Sequence, residues 1–269
     1  MQRRIHTFDN GVMVYDDHLI SIQRERYKQR NVHEAEEEDI FTEIIHSIPG
    51  NGCFVDVGAA IGYYPLLAKK IAPDLTIYGI EPLKRHHKFF LENIALNGFI
   101  ERDFVIITKG ISQRGGYMRF SDKGYGSSLH ENKDGVAHAG FVGDLFEKVL
   151  RKMRFREHSM RSSDSISIKT MTLDKLMHAV RTPVDLLQMD VQGFEASVLK
   201  GGISSLQTNN IRTLLIGTHG LPVHRECLSI LQECNYEIEF DQAESKNQPD
   251  GIIVASKGVR RIKSRDNKA

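Results

Sequence analysis

Short, continuously apolar runs alternate along this chain with longer segments whose apolar residues recur every three or four positions. The apolar runs predict buried strands of a parallel sheet, and the periodic segments predict helices that cover its faces. The predicted strands are 53–57, 75–80, 103–108, 184–191 and 211–218. The predicted helices are 62–72, 84–97, 193–200 and 223–234. The alternation therefore predicts an α/β fold with helices on both faces of its sheet.

Both ends of the chain depart from this alternation. Residues 5–15 predict two short strands around an Asn-Gly turn, and 33–48 predict an amphipathic helix with acids in its first turn. Strands at 236–240 and 251–256 are joined by a polar loop without a helix. They predict a hairpin, which would place one antiparallel strand in a mostly parallel, Rossmann-like sheet.

The predicted organisation has three parts. An N-terminal hairpin and helix (1–50) would pack on a core domain (51–257), and a flexible basic tail (258–269) would follow. A basic insertion at about 123–165 interrupts the core, and its densest charge lies in a helix predicted at 143–158. The insertion has two interpretations, a solvated helix face or a lid that docks an anionic group.

Composition limits the class of protein. The chain has 269 residues, of which 40% are hydrophobic and 26% charged, which suits one large folded domain. The net charge of +1 gives no overall field of the kind that marks a nucleic-acid-binding protein. Three cysteines without zinc-ligand spacing, no export signal and no apolar run of about 20 residues lead us to expect a cytoplasmic protein without membrane contact.

The stretch "FVDVGAAIGYY", 54–64, raises the question of the ligand. A dinucleotide fingerprint requires Gly-x-Gly-x-x-Gly, and Ala60 and Tyr63 occupy two of its glycine positions. A P-loop requires Gly-Lys-Ser/Thr, for which Tyr63 and Tyr64 are no substitute. The pattern that fits is Asp-x-Gly-x-small-x-Gly, which ends the first strand of enzymes that bind S-adenosylmethionine (SAM). The predicted cofactor contacts in this turn are Asp56, Val57, Gly58, Ala59, Ala60, Gly62 and Tyr63.

Glu81 and Pro82 follow the second strand of the predicted core. In dinucleotide folds an acid at this position accepts hydrogen bonds from the ribose hydroxyls of an adenosine ligand. The alternative is that Glu81 caps the helix predicted at 84–97. Because the glycine turn precedes it, we predict that Glu81 and Pro82 also contact the cofactor.

Four ordered motifs resemble those of the FkbM family of SAM-dependent methyltransferases. They are "DVGAAIGYY" at 56–64, "EP" at 81–82, "TLD" at 172–174, and "QMDVQGFE" at 188–195 followed by "VLKG". The resemblance extends from about residue 33 to 255. It implies a class I methyltransferase sheet, SAM as the cofactor and transfer of the methyl group to an oxygen.

Three positions depart from the family pattern. Gln188 and Gln192 replace a lysine and a glutamate, and "GTHG" at 217–220 stands where a glutamate usually follows the fifth strand. The acceptor is therefore expected to differ from the commonest one in the family. A non-catalytic member remains open as an alternative.

Asp190 and His219 end the fourth and fifth strands, at the mouth where open α/β sheets bind ligands. Methyl transfer to a hydroxyl is an in-line displacement that needs alignment and a base. We predict that Asp190 orients the hydroxyl or contacts SAM, and that His219 is a candidate base, with a turn histidine as the alternative. A divalent metal held by Asp190, His219 and His224 is possible in principle but not expected.

Further acceptor contacts are predicted from position alone: Glu34, Ser128, Gln192, His224, Arg151 and Arg154. The acceptor would be a small molecule, sugar or glycan, and an anionic one would suit the basic insertion. A homo-oligomer is compatible with the sequence.

Two other functions compete with the SAM-dependent methyltransferase. One is an NAD-dependent oxidoreductase, which the failed dinucleotide fingerprint disfavours. The other is a non-catalytic module with a methyltransferase fold that docks RNA through 143–161. Stacking aromatics are sparse in that segment, so nucleic acid is not the expected partner.

Overall fold

The computed structural model describes residues 3–121, 128–130, 165–244, 250–258 and 262. The strands are β1 (Ile5–Thr7), β2 (Met13–Tyr15), β3 (Cys53–Val57), β4 (Thr76–Ile80), β5 (Phe104–Ile107), β6 (Gly110–Ile111), β7 (Gly116–Ser121), β8 (Ser128–His130), β9 (Ser165–Met171), β10 (Leu186–Met189), β11 (Thr213–Thr218), β12 (Glu237–Gln242) and β13 (Gly251–Ser256). The α-helices are α1 (Ser21–Gln29), α2 (Ala35–Ser47), α3 (Tyr63–Ile71), α4 (Lys84–Leu96), α5 (Leu173–Val180), α6 (Glu195–Lys200), α7 (Ile203–Gln207) and α8 (Leu221–Glu233). Single 3-10 turns lie at Asp16–His18 and Glu101–Asp103.

The central sheet has seven strands in the order β12-β13-β11-β10-β3-β4-β5. Neighbours from β11 to β5 pair in parallel, and β13 pairs antiparallel with both β11 and β12. The hairpin prediction is therefore confirmed, and β13 is the one antiparallel strand of the sheet. The arrangement is the Rossmann-like sheet that the apolar runs predict.

Each central strand sends alternate side chains into two separate cores. Phe54 and Leu215 belong to the core beneath α2, α3 and α4, while Val55 and Leu214 belong to the core beneath α5, α6 and α8. All four side chains are fully buried. The continuous apolar runs exist because both faces of these strands are covered, and helices on both faces are confirmed.

A smaller sheet, in the order β6-β9-β7-β8, is formed by the part of the chain between β5 and β10. Strand β7 pairs antiparallel with β8 and β9, and neither β9 nor α5 was predicted from the sequence. Thr172 is the N-cap residue of α5, and its side chain accepts a hydrogen bond from the backbone N–H of Lys175 at 3.2 Å. The "TLD" motif is therefore the start of a helix.

The predicted basic helix at 143–158 lies outside the described residues, as do Arg151 and Arg154. Ser128 is described only as the first residue of β8. Of the predicted tail, 258–269, only Gly258 and Ile262 are described.

The N-terminal strands β1 and β2 form the expected antiparallel pair, with Ile5 opposite Tyr15. Val12 and Val14 are fully buried in the same core as Phe41 of α2. Asn97 at the end of α4 binds this segment, because its side chain accepts from the Met13 N–H and donates to the Met13 carbonyl. Within the described ranges, no helix combines the length and apolarity needed to cross a bilayer.

Candidate active site

The turn after β3 requires glycine at two positions. Gly58 and Gly62 have φ values of +100° and +87°, a region that L side chains rarely adopt. A Cβ on Gly58 would lie 2.1 Å from the carbonyl oxygen of Asp190, and one on Gly62 would lie 2.0 Å from the Phe90 ring. Close packing against the end of β10 and against α4 therefore requires glycine at both positions, whether or not a ligand approaches the turn.

Glu81 connects this turn to the start of α4. Its Oε2 accepts a hydrogen bond from the N–H of Ala60 at 3.0 Å, and its Oε1 accepts from the N–H of Leu83 at 2.8 Å. The capping role weighed in the sequence is therefore present. Oε1 also lies 3.5 Å from Nδ1 of His86, whereas Oε2 retains a second lone pair that can accept a hydrogen bond from a ribose.

Asp190, Gln192 and His219 are brought together at the carboxyl ends of β10 and β11. The Nε2 of Gln192 donates to Oδ1 of Asp190 at 3.0 Å and lies 2.9 Å from Nε2 of His219. The imidazole Nε2 is also 3.5 Å from Oδ1 of Asp190. Gln192 has a φ of +54°, a conformation that costs a non-glycine residue energy and is typical of functional sites.

Glu195 is a member of this group that the sequence analysis did not single out. It is fully buried, and its Oε1 lies 2.9 Å from Nδ1 of His219 while accepting from the N–H groups of Gly193 and Val191. An amide nitrogen only donates, so with Gln192 in this orientation His219 accepts at Nε2 and carries its proton on Nδ1 toward Glu195. The sequence does contain a signal for Glu195, because it is the acidic residue of the largely apolar segment "GFEASVL".

Charge around His219 is mostly negative. Burial alone would lower the pKa of His219, but Asp190, Glu195 and Asp250 outweigh it and raise this pKa well above its usual value. The Oδ1 of Asp250 lies 3.3 Å from the imidazole Nε2. A protonated imidazole would require the Gln192 amide to turn over, so that its oxygen accepts from Nε2.

The neighbouring carboxyl groups titrate abnormally. Burial, reinforced by Asp190 and Asp250, raises the pKa of Glu34 to about 8. Burial and adjacent acids also raise the pKa of Glu37 and of Asp56 well above the usual values. Among the described residues, these carboxyl groups outnumber the cationic side chains beside them, which suits a positively charged ligand.

The sequence matches the family model described as the methyltransferase FkbM domain over residues 56–238, more than half of the chain. The chain belongs to the FkbM methyltransferase family. It is 24% identical to methyltransferase sdnD of Sordaria araneosa over 87% of this chain and 95% of that protein. It is also 24% identical to a protein of Jannaschia sp. (strain CCS1) that is named as a methyltransferase. That match covers 72% of this chain and 61% of the Jannaschia protein.

Among solved structures, the chain is similar to precorrin-6y C5,15-methyltransferase of Geobacter metallireducens GS-15. The identity is 10%, the TM-score is 0.49, and the match covers 94% of this chain and all of that one. The strand order of its own sheet and the helices on both faces give this FkbM methyltransferase a Rossmann-like α/β fold.

Two predicted contacts of this FkbM methyltransferase have other partners in the structure. His224 is buried and bonds to Thr218 through Nδ1 at 2.6 Å and to Asp241 through Nε2 at 2.7 Å. The hydroxyl of Tyr63 donates to Glu38 at 2.6 Å. Tyr63 therefore joins the glycine turn to α2, and the third member of the Asp190–His219 group is Glu195 instead of His224.

The structure changes the residues that could bind a metal, because Glu195 takes the place predicted for His224. In the part of the chain that the structure describes, Asp190, Glu195 and His219 are the three side chains that offer ligand atoms within 4.8 Å of one another. Oε1 of Glu195 already faces two backbone N–H groups and the imidazole. Its Oε2 has no hydrogen-bond partner among the described residues.

Proposed function

We propose that this FkbM methyltransferase uses SAM to methylate a hydroxyl of a small molecule, sugar or glycan. The observation that carries the proposal is the excess of carboxyl groups at the carboxyl ends of β3 and β10, next to a glycine turn. SAM has a sulfonium and an ammonium group, and binding of a cation favours the charged form of acids whose pKa is raised. NAD offers no comparable concentration of positive charge.

The residues present fit SAM. Asp56 and Asp190 would face its positive groups, Glu81 would accept from the ribose hydroxyls, and the backbone from Gly58 to Gly62 would lie beneath it. When bound, SAM supplies a methyl group activated by a positively charged sulfur. The transfer forms a carbon–oxygen bond and breaks the sulfur–methyl bond, whose electron pair stays on sulfur.

His219 would take the hydroxyl proton at Nε2 once it is neutral, and the positive charge of bound SAM favours the neutral form because it lowers the raised pKa of His219. Its Nδ1–H points to Oε1 of Glu195, which holds the ring in the tautomer that a base requires. Asp190, linked to the same site through Gln192, would orient the hydroxyl. General base catalysis of this kind contributes about 10²- to 10⁴-fold to a rate.

The test compares the wild type with His219→Asn in methyl transfer from isotope-labelled SAM to a panel of hydroxylated compounds. We expect the variant to lower kcat by about 10²- to 10⁴-fold while its Kd for S-adenosylhomocysteine (SAH) stays within about twofold. His178→Asn, at an exposed position on α5, is the matched control. Unchanged kcat in His219→Asn would remove this residue from the mechanism.

A further inference from the structure

A second set of acids extends the site away from the glycine turn. We define the acidic pocket by Glu34, Glu37, Asp190 and Asp250, with Tyr64 beside them. A Cβ placed on Gly217 of β11 would lie 3.4 Å from Oε2 of Glu37 and 3.7 Å from Cβ of Asp190. Glu37 and Asp190 therefore flank the same point above β11.

The acidic pocket has a deep part and an open rim. Glu37 is 3% exposed, whereas the side chains of Glu34, Asp190 and Asp250 are 19%, 31% and 28% exposed. A ligand from solvent would thus meet three carboxyl groups before it reaches Glu37. A pocket that is open at one end and lined by carboxyl groups suits a cationic ligand.

Among the described side chains, cations compensate this charge only in part. Arg26 lies 3.8 Å from Oε1 of Glu34, beyond hydrogen-bonding range, and its side chain is 43% exposed, while His219 faces Asp190 and Asp250. Glu37 receives a hydrogen bond from the neutral amide of Gln188 at 2.8 Å. The deepest carboxyl group is therefore paired with a neutral amide, and a cation that binds beside it would favour its ionised form.

Buried polar atoms without partners provide a second, independent observation. The hydroxyl of Tyr64, a residue only 7% exposed, and Oε1 of the buried Gln188 have no hydrogen-bond partner within the described ranges. Tyr64 packs on α2 with its ring 4.8 Å from that of Phe41, one turn after Glu37, and Nε2 of the Gln188 amide donates to Oε1 of Glu37. Buried polar atoms are nearly always hydrogen-bonded, so these two oxygens indicate a missing donor.

An ammonium group meets both requirements, because it carries a positive charge and three N–H donors. We infer that the acceptor is a hydroxylated amine, such as an amino sugar, whose ammonium group binds between Glu34 and Glu37 while its hydroxyl faces His219. This inference rests on the proposed function. It differs from the anionic acceptor expected from the basic insertion, which lies outside the described residues.

The experiment uses pairs of compounds that differ in one charge: glucosamine against N-acetylglucosamine, and galactosamine against N-acetylgalactosamine. Binding to the SAH-loaded protein is measured by calorimetry and by ligand-observed NMR. We expect at least one amine to bind about tenfold or more tightly than its acetylated partner, since hydrogen bonds to charged groups contribute about 1.5–3 kcal/mol.

Glu37→Gln and Glu34→Gln remove one charge each and preserve the side-chain shape. We expect each to reduce the preference for the amine about tenfold, with the Kd for SAH within about twofold of the wild type. Glu36→Gln, in the same first turn of α2 but exposed and bonded to Gln242, is the matched control and should keep the preference.

Three results would overturn the inference. They are an absence of preference for both amines, a preference that survives both Glu37→Gln and Glu34→Gln, and a Glu37→Gln variant that loses SAH affinity instead of amine affinity. The last result would assign the acidic pocket to the ammonium of the cofactor. Failure of the wild type to bind SAM or SAH at all would instead refute the proposed function, so the two failures are distinguishable.

Discussion

Glu195→Gln should lower the pKa of His219. The replacement keeps the volume of the side chain and an oxygen that can accept from the Nδ1–H of His219 and from the Gly193 N–H. It removes the negative charge that lies 2.9 Å from Nδ1. Any change in the titration of His219 therefore reports the charge of Glu195 and not the loss of a contact.

The structure sets the size of the effect. Glu195 is fully buried and 19% of the His219 side chain is exposed, so solvent screens the pair weakly. Two unit charges about 4 Å apart interact by about 4 kcal/mol at an effective dielectric constant of 20. That energy corresponds to roughly 3 pKa units, and we expect a decrease of about 2 to 3 units because Asp190 and Asp250 remain.

The assay is an NMR titration of the histidine ring signals, in which His219→Asn identifies the His219 resonance. The matched control is Glu226→Gln, which removes a carboxylate that pairs with Lys200 at 2.6 Å and is 45% exposed. The control should leave the pKa of His219 unchanged. A decrease of less than about half a unit in Glu195→Gln would refute the pairing of Glu195 with His219 as the source of the raised pKa.

Four further predictions concern the site. Gly58→Ala should destabilise the fold by roughly 3 kcal/mol or more, because its Cβ would meet the Asp190 carbonyl at a positive φ. Denaturant unfolding measures the loss of stability. The control Gly98→Ala, at a positive φ with open space around it, should destabilise the fold less. SAM binding near pH 7 should release protons, because burial raises the pKa of Asp56 well above its usual value and a cation favours its ionised form; calorimetry in buffers of different ionisation enthalpy measures the release, and equal apparent enthalpies would contradict it. The pKa of Glu34, raised to about 8, means that the folded protein binds protons that the unfolded chain has lost, so the unfolding free energy should fall as pH rises from about 4.5 to about 8; a stability that rises over this range would contradict the assignment. Treatment with EDTA should leave SAM affinity and methyl transfer unchanged, whereas loss of activity that Mg²⁺ or Mn²⁺ restores would favour the metal alternative.

The central sheet could be predicted because burial on both faces leaves a simple trace in the sequence. Continuous apolar runs such as "CFVDV" and "GIIVAS" correspond to β3 and β13. Helix α1 was missed because Ser21–Gln29 is polar on most sides and buries only Gln23 and Tyr27. Strand β9 was missed because Ser165–Met171 alternates polar and apolar residues inside a segment dominated by charge.

The candidate site was predictable where a residue ends a strand. Asp190 and His219 meet because the carboxyl ends of neighbouring parallel strands share one edge of the sheet. Glu195 was not singled out, because its role depends on the turn of Gln192 and Gly193 that points its carboxylate back at His219. The acidic pocket likewise depends on how α2 crosses the sheet, which local sequence patterns do not specify.

The central claim is that the site binds SAM through Glu81 and the turn before it. The measurement that tests it most directly is calorimetric titration of the protein with SAM and, separately, with NAD, repeated on Glu81→Ala and Glu81→Gln. The account predicts saturable SAM binding without NAD binding, weakened about 10- to 100-fold in both variants, because a charge-assisted pair of ribose hydrogen bonds contributes about 1.5–3 kcal/mol. NAD binding in preference to SAM, or SAM binding that neither variant weakens, would contradict it.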